Sequence, residues 1–272
     1  MSRDFRHARQ RFLLGLMLPC SILVLQLGCT HTPTQEDITY AQVRYDLGVS
    51  EAEQGNVQAA LRELQTAIDR HPDFAEAHNA MGLLLHVSMG RHDKAEAAYL
   101  EALRVRPDFS EVHNNLGALY IDMGRYEDAE RHLRAALEDV VYSTPYLAQG
   151  NLGWSLYLQG RHEEAVTQLR SAVIVQPLFC QGHRNLGRIY REIGRHADAR
   201  AAFKQFKEHC PEDAEAQYEW GRIAFEEGRT EEAREAFEAC FRLSPRSTLG
   251  DACNRHLEVM ADEREVSWGS EG

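Results

Sequence analysis

Basic charge is in short supply in this chain: 30 lysines and arginines stand against 42 aspartates and glutamates, a formal net charge of -12. Nucleic-acid binding needs clustered cations to meet phosphates, so that class of partner is excluded. Chemistry-bearing motifs are missing as well. No His-x-x-x-His, Cys-x-x-Cys or Gly-x-Ser-x-Gly occurs, which leaves no signature of a helical zinc site, a dithiol centre or a nucleophile elbow. The expectation is a non-enzyme with no metal, no cofactor and no small-molecule substrate. Long apolar runs are also absent. The best candidate, residues 12–27, has 16 residues, short of the roughly 20 that a membrane-spanning helix needs.

What the chain does have is periodicity. Leu47-Gly48, Met81-Gly82, Leu116-Gly117, Leu152-Gly153, Leu186-Gly187 and Trp220-Gly221 place six glycines 34, 35, 36, 34 and 34 residues apart. A second glycine follows each pair (Gly55, Gly90, Gly124, Gly160, Gly194, Gly228), then an alanine (Ala60, Ala95, Ala129, Ala165, Ala199, Ala233). Three registers agree, so the chain is a repeat protein. Within a repeat, Leu186, Gly187 and Tyr190 share one helix face, and Gly187 lets a neighbouring helix come close. Gly194 falls where the chain must reverse, in the left-handed conformation that glycine reaches without a clash. Five of the six turns read Gly-Arg, and Pro72, Pro107, Pro177, Pro211 and Pro245 close five of the second helices. Each repeat is therefore a helical hairpin.

The run His183, Leu186-Gly187, Tyr190, Gly194, Ala199, Phe203, Pro211 resembles the 34-residue tetratricopeptide pattern. The resemblance implies an all-α, right-handed superhelical solenoid. Six hairpins occupy residues 41–247, followed by a capping helix over 248–263 and a disordered tail over 264–272. Two irregularities interrupt the register. One residue is inserted between Leu84 and Met89, and the third junction is longer, with Val141 where proline is expected.

Residues 1–28 have the shape of a signal peptide: Arg3, Arg6, Arg9 and Arg11 precede the apolar run, and Gly28-Cys29 follows it. Leu25-Gln26-Leu27-Gly28-Cys29 resembles a bacterial lipoprotein box. That resemblance implies lipidation of Cys29, and Thr30 after it implies the outer membrane, with the domain facing the periplasm. Residues 29–40 read as a polar tether. Of the other cysteines, Cys20 leaves with the leader, and Cys180, Cys210, Cys240 and Cys253 remain in an oxidising compartment. Cys180 and Cys210 sit at the two ends of one hairpin that antiparallel packing brings together, which predicts a disulfide. A second pair, Cys240 with Cys253, is geometrically possible. Four cysteines allow three connectivities, and buried free thiols are the alternative.

Thirteen histidines fall mostly at recurrent positions. His78, His113 and His183 share one helix site, and His92, His162 and His196 follow Gly-Arg turns, so they read as packing or turn residues. Function must then come from the concave surface that the first helices form. The tetratricopeptide resemblance assigns to it Tyr45, Val49 and Ala52; Asn79, Leu83, His86 and Val87; Asn114, Ala118, Ile121 and Asp122; Leu147, Trp154, Tyr157 and Leu158; and Arg184, Arg188, Arg191 and Glu192. The N-terminal half is apolar. Beside Trp154 and Tyr157, the Arg184, Arg188 and Arg191 stripe suits an acidic or C-terminal peptide; the alternative is that it pairs with Glu215, Glu226 or other acids on adjacent helices.

A lipoprotein box, a short tether and six repeats together resemble the type IV pilus pilotins of the Tgl and PilF/PilW type. The lengthened junction Thr144-Pro-Tyr-Leu-Ala-Gln-Gly-Asn-Leu-Gly-Trp154 is the most specific piece. The resemblance implies a scaffold that binds secretin subunits and promotes their outer-membrane assembly for pilus-dependent motility. An adaptor for outer-membrane protein insertion or polysaccharide export, or a partner of a periplasmic enzyme, are the other readings.

Overall fold

The structure, a computed structural model, describes residues 32–269. The expected leader at 1–28, the lipid-bearing Cys29 and residues 270–272 of the expected tail lie outside the described residues. Among the described residues every regular element is helical: α1 (Gln35–Glu53), α2 (Val57–Arg70), α3 (Ala75–Leu83), α4 (His92–Val105), α5 (Ser110–Asp122), α6 (Tyr126–Glu138), α7 (Pro145–Leu158), α8 (His162–Val175), α9 (Cys180–Glu192), α10 (His196–His209), α11 (Ala214–Glu226), α12 (Thr230–Leu243) and α13 (Thr248–Gly269). Odd- and even-numbered helices pair into six hairpins, α13 packs on α12 and α11, and the hairpins stack in chain order into the expected solenoid.

The packing rule inside a hairpin follows from residue size. Second helices bury small–large–small stripes at helical spacing, such as Ala129, Leu133 and Ala136 in α6. The large residue lands where the facing first helix has no side chain. A Cβ on Gly117 would lie 2.4 Å from Leu133 Cγ, and one on Gly187 would lie 2.6 Å from the Phe203 ring. The reversal after each first helix runs through a glycine at positive φ, +75° at Gly194. Each Gly-Arg arginine from the third repeat onward then meets carboxylates: Arg125 contacts Glu96 of the preceding repeat at 2.9 Å and Asp128 at 2.7 Å, and Arg161 contacts Glu130 at 2.5 Å and Glu164 at 2.7 Å. These surface pairs add little individually.

The recurrent histidines have a role that the sequence did not show. His78, His113 and His183 place Nε2 at 2.8, 2.9 and 2.8 Å from the carbonyls of Pro72, Pro107 and Pro177, and Gln217 donates to Pro211 O at 2.8 Å. A proline junction thus leaves a carbonyl that the next first helix satisfies. In the third junction Val141 stands where the others have that proline, and Gln149, at the equivalent place in α7, keeps its buried Oε1 without a partner.

Two boundaries depart from expectation, and the expected insertion takes a definite form. α1 begins at Gln35, inside the expected tether of 29–40, because Thr34 and Asp37 form a reciprocal capping box: Asp37 N donates to Thr34 Oγ1 at 3.2 Å, and Thr34 N donates to the Asp37 carboxylate at 3.0 Å. At the other end α13 continues to Gly269, past 263 and into the expected tail, since no glycine or proline interrupts residues 251–268. The inserted residue of the second repeat is absorbed as a π-helical turn over Leu84–Ser88.

Candidate partner-binding groove

First helices of successive repeats contact one another, α5 with α7 and α7 with α9, and side-chain amides lock them together. Asn115 Nδ2 donates to Asn79 Oδ1 at 3.0 Å, and Asn151 Nδ2 donates to Asn114 Oδ1 at 3.0 Å. Asn114 is therefore a buried rung of the wall, not a residue presented to a partner. Tyr45 is half-buried, its ring 5.1 Å from Phe74, and desolvation raises its hydroxyl above the ordinary tyrosine value. Val49 is likewise half-buried. Leu83 stays open at 45 % exposure, and the π turn rotates Val87 outward to 70 % while drawing His86 in, where its Nε2 lies 2.9 Å from Asp122 Oδ2.

Farther along, Trp154 and Tyr157 form a half-buried aromatic pair with ring centroids 4.9 Å apart. Tyr157 donates to Glu192 on α9, a bond that raises the phenol above its ordinary value, with Arg188 near enough to oppose it. The arginine stripe is the main correction. Arg188 and Arg184 both reach Glu215, the latter at 3.5 Å, and Arg191 reaches the buried Glu219 at 2.5 Å. Two glutamates of α11 already meet all three guanidiniums, so this face is not an unpaired cationic clamp. A buried carboxylate needs such partners, which explains the arginines without a ligand. The sequence signal was present, since Glu215 and Glu219 stand four apart on one face of the next first helix.

Among the described residues no group of three or more His, Cys, Asp or Glu is arranged to hold a metal ion, and no helix is long and apolar enough to cross a membrane. The disulfides join Cys180 to Cys210, with Cα atoms 6.0 Å apart, and Cys240 to Cys253 at 6.2 Å. The first closes the fifth hairpin, and the second staples α13 onto α12.

Behind the groove, His113 Nε2–H donates to Pro107 O, so its Nδ1 accepts from His132 Nδ1–H at 2.9 Å. Burial, with His113 and Arg131 adding to it, pushes the His132 imidazole down to about 4. The unfolded chain then binds a proton that the folded chain refuses. Stability conferred by this site is complete above pH 6.5 and falls as pH drops toward 4, by about 1–2 kcal/mol once partial exposure is discounted. Denaturant titrations at pH 7.5 and 4.5 should show that loss. His132→Asn should reduce it, and an unchanged pH slope in the variant would refute the assignment.

Tetratricopeptide repeat models match residues 108–173, and, in a second form, residues 45–108, 83–121, 151–208 and 184–247. No curated protein sequence matches the chain. Among solved structures it is similar to PilW, described as a widely conserved type IV pilus biogenesis factor, with TM-score 0.70 and 23% identity over 78% of this chain and 97% of that one. It is equally similar to PilF of Pseudomonas aeruginosa, with TM-score 0.70 and 20% identity over 82% and 100%. MamA from Desulfovibrio magneticus RS-1 gives TM-score 0.55 and 20% identity over 62% and 94%. At these identities the likeness is one of fold. Repeat matches running from residue 45 to 247, on a stack of six helical hairpins, make this chain a member of the tetratricopeptide repeat family.

Proposed function

We propose that the protein is an outer-membrane lipoprotein of the pilotin kind, held by a lipid on Cys29 and facing the periplasm, that binds secretin subunits and promotes their assembly for type IV pilus biogenesis. The observation that carries the reading is the groove itself. An exposed aliphatic end at Leu83 and Val87 and a half-buried aromatic pair at Trp154 and Tyr157 lie on a wall of first helices joined by amide rungs. Such a surface holds a polypeptide segment without ordering cost on its own side, which lowers the entropic penalty of collecting subunits into a ring. The fold shared with PilW and PilF, the lipoprotein box and the lengthened third junction support the choice of client.

Deletion of the gene followed by blotting for heat-resistant secretin multimers tests the reading. Multimers should be lost, and normal multimers would refute it. Within the groove, Trp154→Ala with Tyr157→Ala should weaken capture of the purified secretin about tenfold or more, as loss of an aromatic anchor does, with helical content unchanged. Undiminished capture would move the site elsewhere. Cys29→Ser should release the protein from membranes into the soluble periplasmic fraction.

A further inference from the structure

Five exposed aliphatic residues lie in two successive junctions of the solenoid. Val140 and Val141, in the lengthened junction after α6, are 97 % and 83 % exposed. Ile174 and Val175 end α8 and Leu178 follows them, at 74 %, 53 % and 64 %. The two junctions are neighbours, because Tyr146 at the start of α7 packs its ring against Phe179 at 5.2 Å. Single exposed aliphatics need no explanation, but two such groups on neighbouring junctions mark a candidate contact surface.

The start of α1 identifies what covers them. Asp37, in its first turn, pairs at 3.3 Å with Arg70, the last residue of α2, so α1 begins on the same junction edge. Only five residues lie between Cys29 and Gln35, and the six steps span at most about 20 Å of extended chain. A lipid on Cys29 therefore keeps this edge, and not the Gly-Arg turn edge, beside the bilayer. Two carboxylates of this edge are neutralised by arginines: Asp73 pairs with Arg104 at 2.7 Å and Glu76 pairs with Arg106. Asp108, Glu111, Glu138 and Asp139 stay near Val141 as anions, and their headgroup-level position leaves them in water.

We propose that the junction edge lies on the phospholipid surface, with Val140, Val141, Ile174, Val175 and Leu178 seated at the headgroup–acyl boundary, so that the solenoid runs along the membrane. The proposal rests on acylation of Cys29 for its tether. The aliphatic loops supply a second, weaker attachment that orients the first, in the way that two combined signals hold a peripheral protein where one alone is labile.

The test uses the full chain, recovered from membranes of an expressing bacterium and reconstituted in 3:1 phosphatidylethanolamine–phosphatidylglycerol vesicles containing brominated acyl chains. Val141→Trp reports on the junction edge, and Gln58→Trp, beside the Gly55 turn, reports on the opposite one. Beyond quenching of the three native tryptophans, the first reporter should lose twofold or more of its emission and the second none. Val140→Asp with Leu178→Asp should abolish the difference while leaving the circular dichroism unchanged. Equal quenching of both reporters in protein that floats with the vesicles would overturn the proposal. So would shielding of the first reporter by added secretin but not by lipid. If the chain fails to float, the acylation reading has failed instead. Hexahistidine placed ahead of Thr30 in the Cys29→Ser chain, captured on nickel-chelating lipid, then restores the tether, and the same two reporters decide the edge.

Discussion

Phe237→Ala is expected to lower the unfolding free energy of the C-terminal repeats by about 3–5 kcal/mol. Phe237 is fully buried on α12, and its ring occupies the space over Gly221, where a Cβ would come within 2.9 Å of it. The same ring stacks on His256 of the capping helix, with centroids 4.5 Å apart and planes 3° from parallel, and it approaches Tyr218 of α11 at 6.2 Å. Three helices thus share one side chain, and truncation leaves a cavity that none of them can close alone. In a stacked array each repeat answers mainly to its neighbours. Amide exchange should therefore accelerate in α11 to α13 and stay near wild type in α1 to α6. A loss below about 1 kcal/mol, or acceleration spread evenly along the chain, would contradict the packing described.

Cys180→Ala with Cys210→Ala should cost about 3–4 kcal/mol under oxidising conditions, from the unfolded-chain entropy that a crosslink spanning 30 residues removes. Cys210 is buried at the end of α10 and Cys180 opens α9, so the bond fixes the two ends of the fifth hairpin. Adding reductant to the wild-type protein should reproduce most of the loss. The Cys240–Cys253 bond closes a shorter separation of 13 residues and should contribute somewhat less by the same logic. Denaturant titration of the two double variants compares them directly, and equal stability of the first variant and the oxidised parent would refute the crosslink's role.

Much of this architecture was legible in the sequence because it depends on local and periodic requirements. A chain reversal that needs positive φ selects glycine, so Gly55 through Gly228 marked the six turns before any coordinates were known. A close helix approach selects glycine again, so the Leu-Gly pairs marked the first helices. The hairpin geometry that follows brings Cys180 and Cys210 within bonding reach. The N-terminal boundary differs from the expected one for a local reason. The capping box at Thr34 and Asp37 uses aspartate where glutamate is the familiar partner, and it lies within what read as a polar tether.

The groove was legible only in outline. Repeat position assigned Asn114, His86 and the three arginines to the concave side, but which side chains remain available there depends on the neighbour supplied by the next repeat. Asn151 takes Asn114, Asp122 takes His86, and Glu215 and Glu219 take the arginines. The hairpins, their number and the residues at each turn can be read along the chain, since they follow from backbone conformation and side-chain volume within some 34 residues. Which polar groups hold the stack together, and which aromatic and aliphatic surface is left for another molecule, emerges from the packed repeats alone, because hydrogen bonds and ion pairs between repeats depend on distances that no spacing along the chain specifies.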